Sequence, residues 1–89
     1  MESKVMIFML RGNDKSEMLK KAFAAQQEIC QFKLHIIYAD KLNIPVYEQF
    51  GVNQLPTTIV VDEEDKVLSR YVGADLINSV SLFLDKNVR

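Results

Sequence analysis

Eighty-nine residues, 48% of them hydrophobic and 26% charged, suit one small globular domain and argue against a disordered chain. Eleven Lys+Arg against twelve Asp+Glu leave a net charge of −1, which disfavours nucleic acid or an anionic membrane as the partner. One cysteine, Cys30, excludes an internal disulfide and any multi-cysteine metal site.

The longest apolar run, residues 5–10, is far short of the roughly 20 residues a bilayer span needs. It is also short for a secretory signal core, and Glu2 stands where that core's basic flank would be. The expected location is cytoplasmic. No repeat, low-complexity tract or Pro/Gly/Ser linker divides the chain, so residues 1–89 read as a single domain.

Residues 5–10 have the length and unbroken apolarity of a strand covered on both faces. Arg11-Gly12-Asn13 interrupts them. Met18, Leu19, Ala22, Phe23, Ile29 and Cys30 then recur at helical spacing, which predicts a helix to about Gln31. Asn13 or Asp14 can cap it, and Asp14-x-x-Glu17 resembles a capping box. Residues 34–39 form a second apolar run, with Leu34, Ile36 and Tyr38 on one face and His35, Ile37 and Ala39 on the other. Strand, helix and strand make a βαβ unit, so these two strands are expected to be parallel.

Pro45 fits the first turn of a short helix reaching Phe50, and Gly51 fits the left-handed position that ends it. Residues 57–62 predict a third strand and residues 67–72 a fourth, joined as an antiparallel hairpin by Glu63-Glu64-Asp65. After Gly73, Asp75 is the expected cap of a last helix with Leu76, Ile77, Val80, Phe83 and Leu84 on its apolar stripe. The order is β-α-β-α-β-β-α.

That order resembles the minimal thioredoxin-like fold, a four-stranded mixed sheet with helices on both faces. Residues carry the resemblance as well. Phe50-Gly51-Val52 followed by Leu55-Pro56-Thr57-Thr58 resembles the stretch in which thioredoxins place an apolar residue and a cis-proline before a strand. Val72-Gly73-Ala74 resembles the family's turn between last strand and last helix. The match runs from Val5 to about Leu84, without the extra strand and helix that full-length thioredoxins carry in front.

The departure is chemical. Where thioredoxins carry Cys-x-x-Cys, this chain has Asn13-Asp14-Lys15-Ser16. Thiol–disulfide exchange needs a thiolate at a helix N-terminus and a second thiol to resolve the mixed disulfide, and neither an amide nor a hydroxyl can substitute. The family's buried acid falls near Ile7, and its flanking tryptophans are absent from a chain with no Trp. The resemblance therefore implies the scaffold without the dithiol chemistry.

Other chemistry-bearing residues are few. Cys30 lies on the apolar stripe and is expected to be a buried structural residue. His35, the only histidine, has no partner set for a metal or a nucleophile–base pair. Asp62-Glu63-Glu64-Asp65 lacks the glycine and alternating oxygen ligands of a calcium loop and reads as a solvated hairpin tip. A glutathione-type ligand would use the backbone beside Pro56 and the turn from Gly73 to Asp75, but Asp75 already has a use as a cap.

The expectation is a redox-inactive binding module with no catalytic residue, cofactor or metal. A polypeptide or partner protein would dock on Asn13, Asp14, Lys15, Ser16, Leu55, Pro56, Gly73 and Ala74, because strand addition needs no catalytic group. Two rival readings are an oxidoreductase acting through Cys30 alone, and a self-associating structural subunit using Ile44, Val46 and Tyr47.

Overall fold

The computed structural model describes residues 3–88, so Glu2 lies outside the described residues. Strand β1 (Lys4–Met9) runs between β2 (Lys33–Tyr38) and β3 (Thr57–Val61), and β4 (Val67–Val72) completes a sheet of order β2-β1-β3-β4. β1 is parallel to β2 and antiparallel to β3, and β3 is antiparallel to β4. Burial follows position in the sheet. The central strands are buried almost throughout, whereas β2 and β4, at the edges, are half-buried or exposed along their length. A strand with neighbours on both sides and helices on both faces has no wet face to give a polar residue.

The alternation of side chains along each strand divides the core into two layers. Val5, Ile7 and Met9 of β1 and Val60 of β3 face one side. They pack there with Leu19 and Phe23 of α1 (Asp14–Gln26) and Val80, Phe83 and Leu84 of α3 (Val80–Asn87). Met6, Phe8, Ile59 and Val61 face the other side, against Phe50 and the half-buried Val46 and Tyr47 of α2 (Ile44–Gln49). Phe8 meets the Tyr47 ring edge-on at 4.9 Å between centroids and the Phe50 ring at 6.0 Å. Arg70 of β4 donates to the Phe50 carbonyl and so ties α2 to the far strand.

The local signals hold at most joints. Pro45 lies in the first turn of α2, and Gly51 just beyond it has φ +62°. The β3–β4 turn is closed by Asp62, whose carboxylate accepts from the Glu64 and Lys66 amides at 2.8 and 2.9 Å.

Three local expectations need correction. Helix α1 ends at Gln26 rather than near Gln31, because the chain turns to bring Phe32 into the core and to start β2. Met18 and Ile29, expected on the buried stripe, are 57% and 73% exposed; Leu19 and Phe23, four residues apart, define the buried line. Asp75 does not cap the last helix: it begins a 3₁₀ turn, Asp75–Ser79, makes no side-chain capping bond, and leaves α3 to start at Val80.

Two predictions follow from this packing. Phe8→Ala, at a site with no exposure, is expected to cost about 3–5 kcal/mol in urea unfolding. The Tyr47 hydroxyl donates to the Ile37 carbonyl at 2.9 Å, and burial pushes the phenol's pKa up. Its neutral form is therefore favoured by folding. That contribution is complete below the unfolded value of about 10 and is lost as pH rises through the folded one. Tyr47→Phe is expected to cost about 1 kcal/mol at neutral pH and to flatten part of the alkaline loss of stability in thermal melts from pH 8 to about 11.

Candidate functional site

The strand register brings three separated segments to one end of the sheet. Phe8, near the end of β1, pairs with Thr57 at the start of β3, and Thr57 pairs with Val72 at the end of β4. The residues that lead out of β1, into β3 and out of β4 therefore emerge together: Asn13-Asp14-Lys15-Ser16, Leu55-Pro56 and Gly73-Ala74.

The first segment is the start of α1. Asn13, not Asp14, is the cap: its backbone is extended and its Oδ1 accepts from the Ser16 amide at 3.0 Å. The expected box with Asp14 as its cap does not form, and Glu17 instead pairs with Lys20 at 3.0 Å. The Lys20 hydrogen bond holds the Glu17 carboxyl below its usual range, and Glu17 in turn holds the Lys20 ammonium above its own. Lys20 also donates to the Tyr38 hydroxyl at 3.2 Å, while the Arg11 guanidinium lies 3.9 Å from that ring's centroid. Among the four residues themselves, Asn13 is committed to the cap and Ser16 is buried at 1% exposure. Asn13, Asp14 and Lys15 are exposed, and of these Asp14 and Lys15 are not engaged in the cap.

The second segment carries a cis Leu55–Pro56 peptide bond. Pro56 is buried, and Leu55 is half-buried against the α2-side layer. The Thr57 hydroxyl donates to the Gln54 carbonyl at 2.6 Å and steadies the bend. The third segment is the link between the other two. The Gly73 amide donates to the Pro56 carbonyl at 2.8 Å, and Gly73 adopts φ +112°, which a side chain would oppose. Ala74 and Lys15 line one hollow of about 250 Å³, with Met18, Asp75, Ile77 and Asn78. Lys15 and Ala74 are thus brought together, as are Pro56 and Gly73. Leu55 is turned to the opposite face of the sheet from α1, so the surface straddles the sheet end.

Cys30 is elsewhere. It follows α1, with its amide bonded to the Gln26 carbonyl at 3.0 Å, and packs half-buried against the α1-side core. Lys33, three residues on, pairs with Lys4 at the far end of β1. Cys30 thus lies toward the Lys4–Lys33 end of the sheet, and the four-residue rise of β1 from Lys4 to Phe8, about 13 Å, separates that end from the one where Pro56 enters β3. His35 is exposed on β2, and no cluster of His, Cys, Asp and Glu suited to a metal occurs among the described residues.

Solved structures with this arrangement of strands and helices include several thioredoxins. A mutant thioredoxin from Halobacterium salinarum superposes with a TM-score of 0.83 at 15% identity, covering 99% of this chain and 76% of that one. The chain has the thioredoxin-like fold. The reduced Schistosoma mansoni thioredoxin gives a TM-score of 0.81 at 18% identity over 98% of this chain and 80% of its own. Plasmodium falciparum thioredoxin gives 0.80 at 20% identity over 97% of this chain and 71% of its own. No protein-family model and no curated protein matches the sequence. Within the thioredoxin-like fold this chain is a minimal, compact version without a Cys-x-x-Cys motif, since it has one cysteine.

Sequence reasoning missed Met18 and Ile77 as walls of the hollow beside Lys15, and set Asp75 aside as a cap. Met18 carried a signal: it follows Lys15 by three residues and shares its face of the helix. The Tyr38 contacts with Arg11 and Lys20 had none, because they depend on the register of β2 beside β1.

Asn13→Ala is expected to lower stability by about 1 kcal/mol in chemical denaturation by freeing the Ser16 amide, with Asn13→Asp close to wild type.

Proposed function

We propose that this chain is a redox-inactive thioredoxin-like module that binds a polypeptide or partner protein without covalent chemistry. The observation that carries the reading is the start of α1: four residues without a thiol, one of them committed to a helix cap, with the chain's one cysteine beyond the opposite end of that helix, bonded to the Gln26 carbonyl. A mixed disulfide formed at the sheet end would have no sulfur on this side to form it and none to release it.

The docking surface is the straddled sheet end. Lys15 and Asp14 supply exposed charges of opposite sign, Leu55 an apolar contact, and Gly73-Ala74 a small-residue floor that lets another backbone approach. Main-chain pairing with side-chain pockets is sufficient for such recognition. The proposed location is cytoplasmic, and a net charge of −1 favours a protein over a nucleic acid as partner. No helix among the described residues is long and apolar enough to cross a membrane.

The test has two arms. In an insulin-reduction assay with a thioredoxin-reductase system, the chain is expected to give no turnover above background, and Cys30→Ser to behave identically; turnover abolished by Cys30→Ser would overturn the reading. In the second arm, a thiol-free unfolded polypeptide, reduced and carboxymethylated, is titrated into labelled protein. Amide shifts are expected at Lys15, Leu55 and Ala74 and are expected to weaken in Lys15→Glu, whose exposed side chain can change without loss of the fold. Absence of shifts at all three positions would remove the docking surface.

A further inference from the structure

Side chains from β2, α1 and the exit of β1 meet beside the docking surface. Tyr38 closes β2 and pairs in register with Met9, which closes β1, so its ring stands at the sheet end that α1 starts from. Arg11, just past β1, sets its guanidinium 3.9 Å from the centroid of that ring. Lys20, in the second turn of α1, donates to the Tyr38 hydroxyl at 3.2 Å.

Donors outnumber acceptors in this cluster. Arg11 is exposed and pairs with no carboxylate among the described residues. Contact with the ring restrains the guanidinium without neutralising it. Lys20 commits one ammonium hydrogen to Glu17, at 3.0 Å, and another to Tyr38, which leaves a third. The Tyr38 hydroxyl accepts from Lys20, and its own hydrogen has no acceptor among the described residues. Glu17 is thus a single carboxylate set against two cations. A planar donor fork already restrained by an aromatic ring suits a planar anion, because less side-chain freedom remains to be lost on binding.

We propose that Arg11, Lys20 and the Tyr38 hydroxyl form a carboxylate-binding subsite that makes the docking surface selective for acidic polypeptides. The subsite rests on the reading of the sheet end as a docking surface and names the chemistry which that surface prefers. Lys15 and Ala74 share a hollow on the β4 side of the start of α1, whereas Arg11 and Lys20 stand on its β2 side. Three strand spacings, about 14 Å, separate β4 from β2, the span of about four residues of an extended chain. A polypeptide seated in the hollow therefore brings an acidic side chain a few residues away to the cluster. A phosphate ester fits less well, since Glu17 opposes a second negative charge for which the cluster holds no further cation.

The experiment titrates labelled protein with two thiol-free peptides, identical except that the glutamates of one are glutamines in the other. The glutamate peptide is expected to bind at least about tenfold more tightly, to move the Arg11 side-chain and Tyr38 ring signals, and to lose its advantage in about 0.5 M sodium chloride. Arg11→Gln is expected to bring its affinity down to that of the glutamine peptide. Arg11→Lys, which keeps the charge without the planar fork, is expected to recover only part of the difference. Both variants change an exposed side chain and are expected to keep the amide spectrum of the fold.

Equal affinity for the two peptides, with shifts at Lys15, Leu55 and Ala74, overturns the subsite and leaves the docking surface standing. A glutamate preference with shifts confined to Arg11 and Tyr38 supports carboxylate binding and overturns the docking surface. A preference that Arg11→Gln leaves intact overturns the subsite. So does sodium phosphate that moves the Arg11 and Tyr38 signals where the glutamate peptide does not. Binding of neither peptide overturns both.

Discussion

Val5, Met6, Ile7, Phe8 and Met9 are each 5% exposed or less, and the architecture follows from keeping them that way. A strand with no wet face must be bonded along both edges and covered on both sides. β2 and β3 supply the edges, one parallel and one antiparallel, and α1 with α3 on one side and α2 on the other supply the cover. Phe8 is the point of greatest demand, since two aromatic rings converge on it from α2 and its C-terminal turn. With β1 fixed in this way, the end of the sheet is fixed, and so are the three segments that leave it.

What gathers there is a frame without a Cys-x-x-Cys motif. The amide of Ser16 finds its acceptor in Asn13, and Gly73 is bonded across to Pro56, so hydrogen bonds within the chain hold the backbone there. The position that the thioredoxin resemblance assigns to a buried acid is Ile7, which has no exposure and lies within the α1-side layer. An ionised carboxylate at that place would need a partner, and an isoleucine instead contributes to the core. Relative to the family pattern, an apolar core side chain stands here where the resemblance implies an acid.

Much of the fold was legible because it is written in local terms. The unbroken apolar run of residues 5–10 marks a central strand, of which only Leu10 falls outside β1, Pro45 and Gly51 bracket α2, and the Leu55-Pro56-Thr57-Thr58 stretch locates the bend before β3. The failures occur where tertiary packing decides. Ile29 and Cys30 keep helical spacing with Phe23, but the chain leaves the helix early so that Phe32 can reach the core. Asp75 looks like a cap, but Leu76 is drawn inward and the backbone tightens into a 3₁₀ turn around it. The hollow shared by Lys15 and Ala74 exists only because that turn packs against α1, and no spacing in the sequence records it.

The sheet order also leaves two strands with one unpaired margin each, a template on which identical molecules can stack into fibres. On β2, Lys33 and His35 are exposed, so a polymer growing from that side would have to strip water from them. On β4, the register slips between Val60 and Val61, skipping Leu68, and such an irregularity twists the strand away from a flat approach. The same small sheet that needs so little chain to close its core thereby keeps its margins poorly suited to runaway polymerisation.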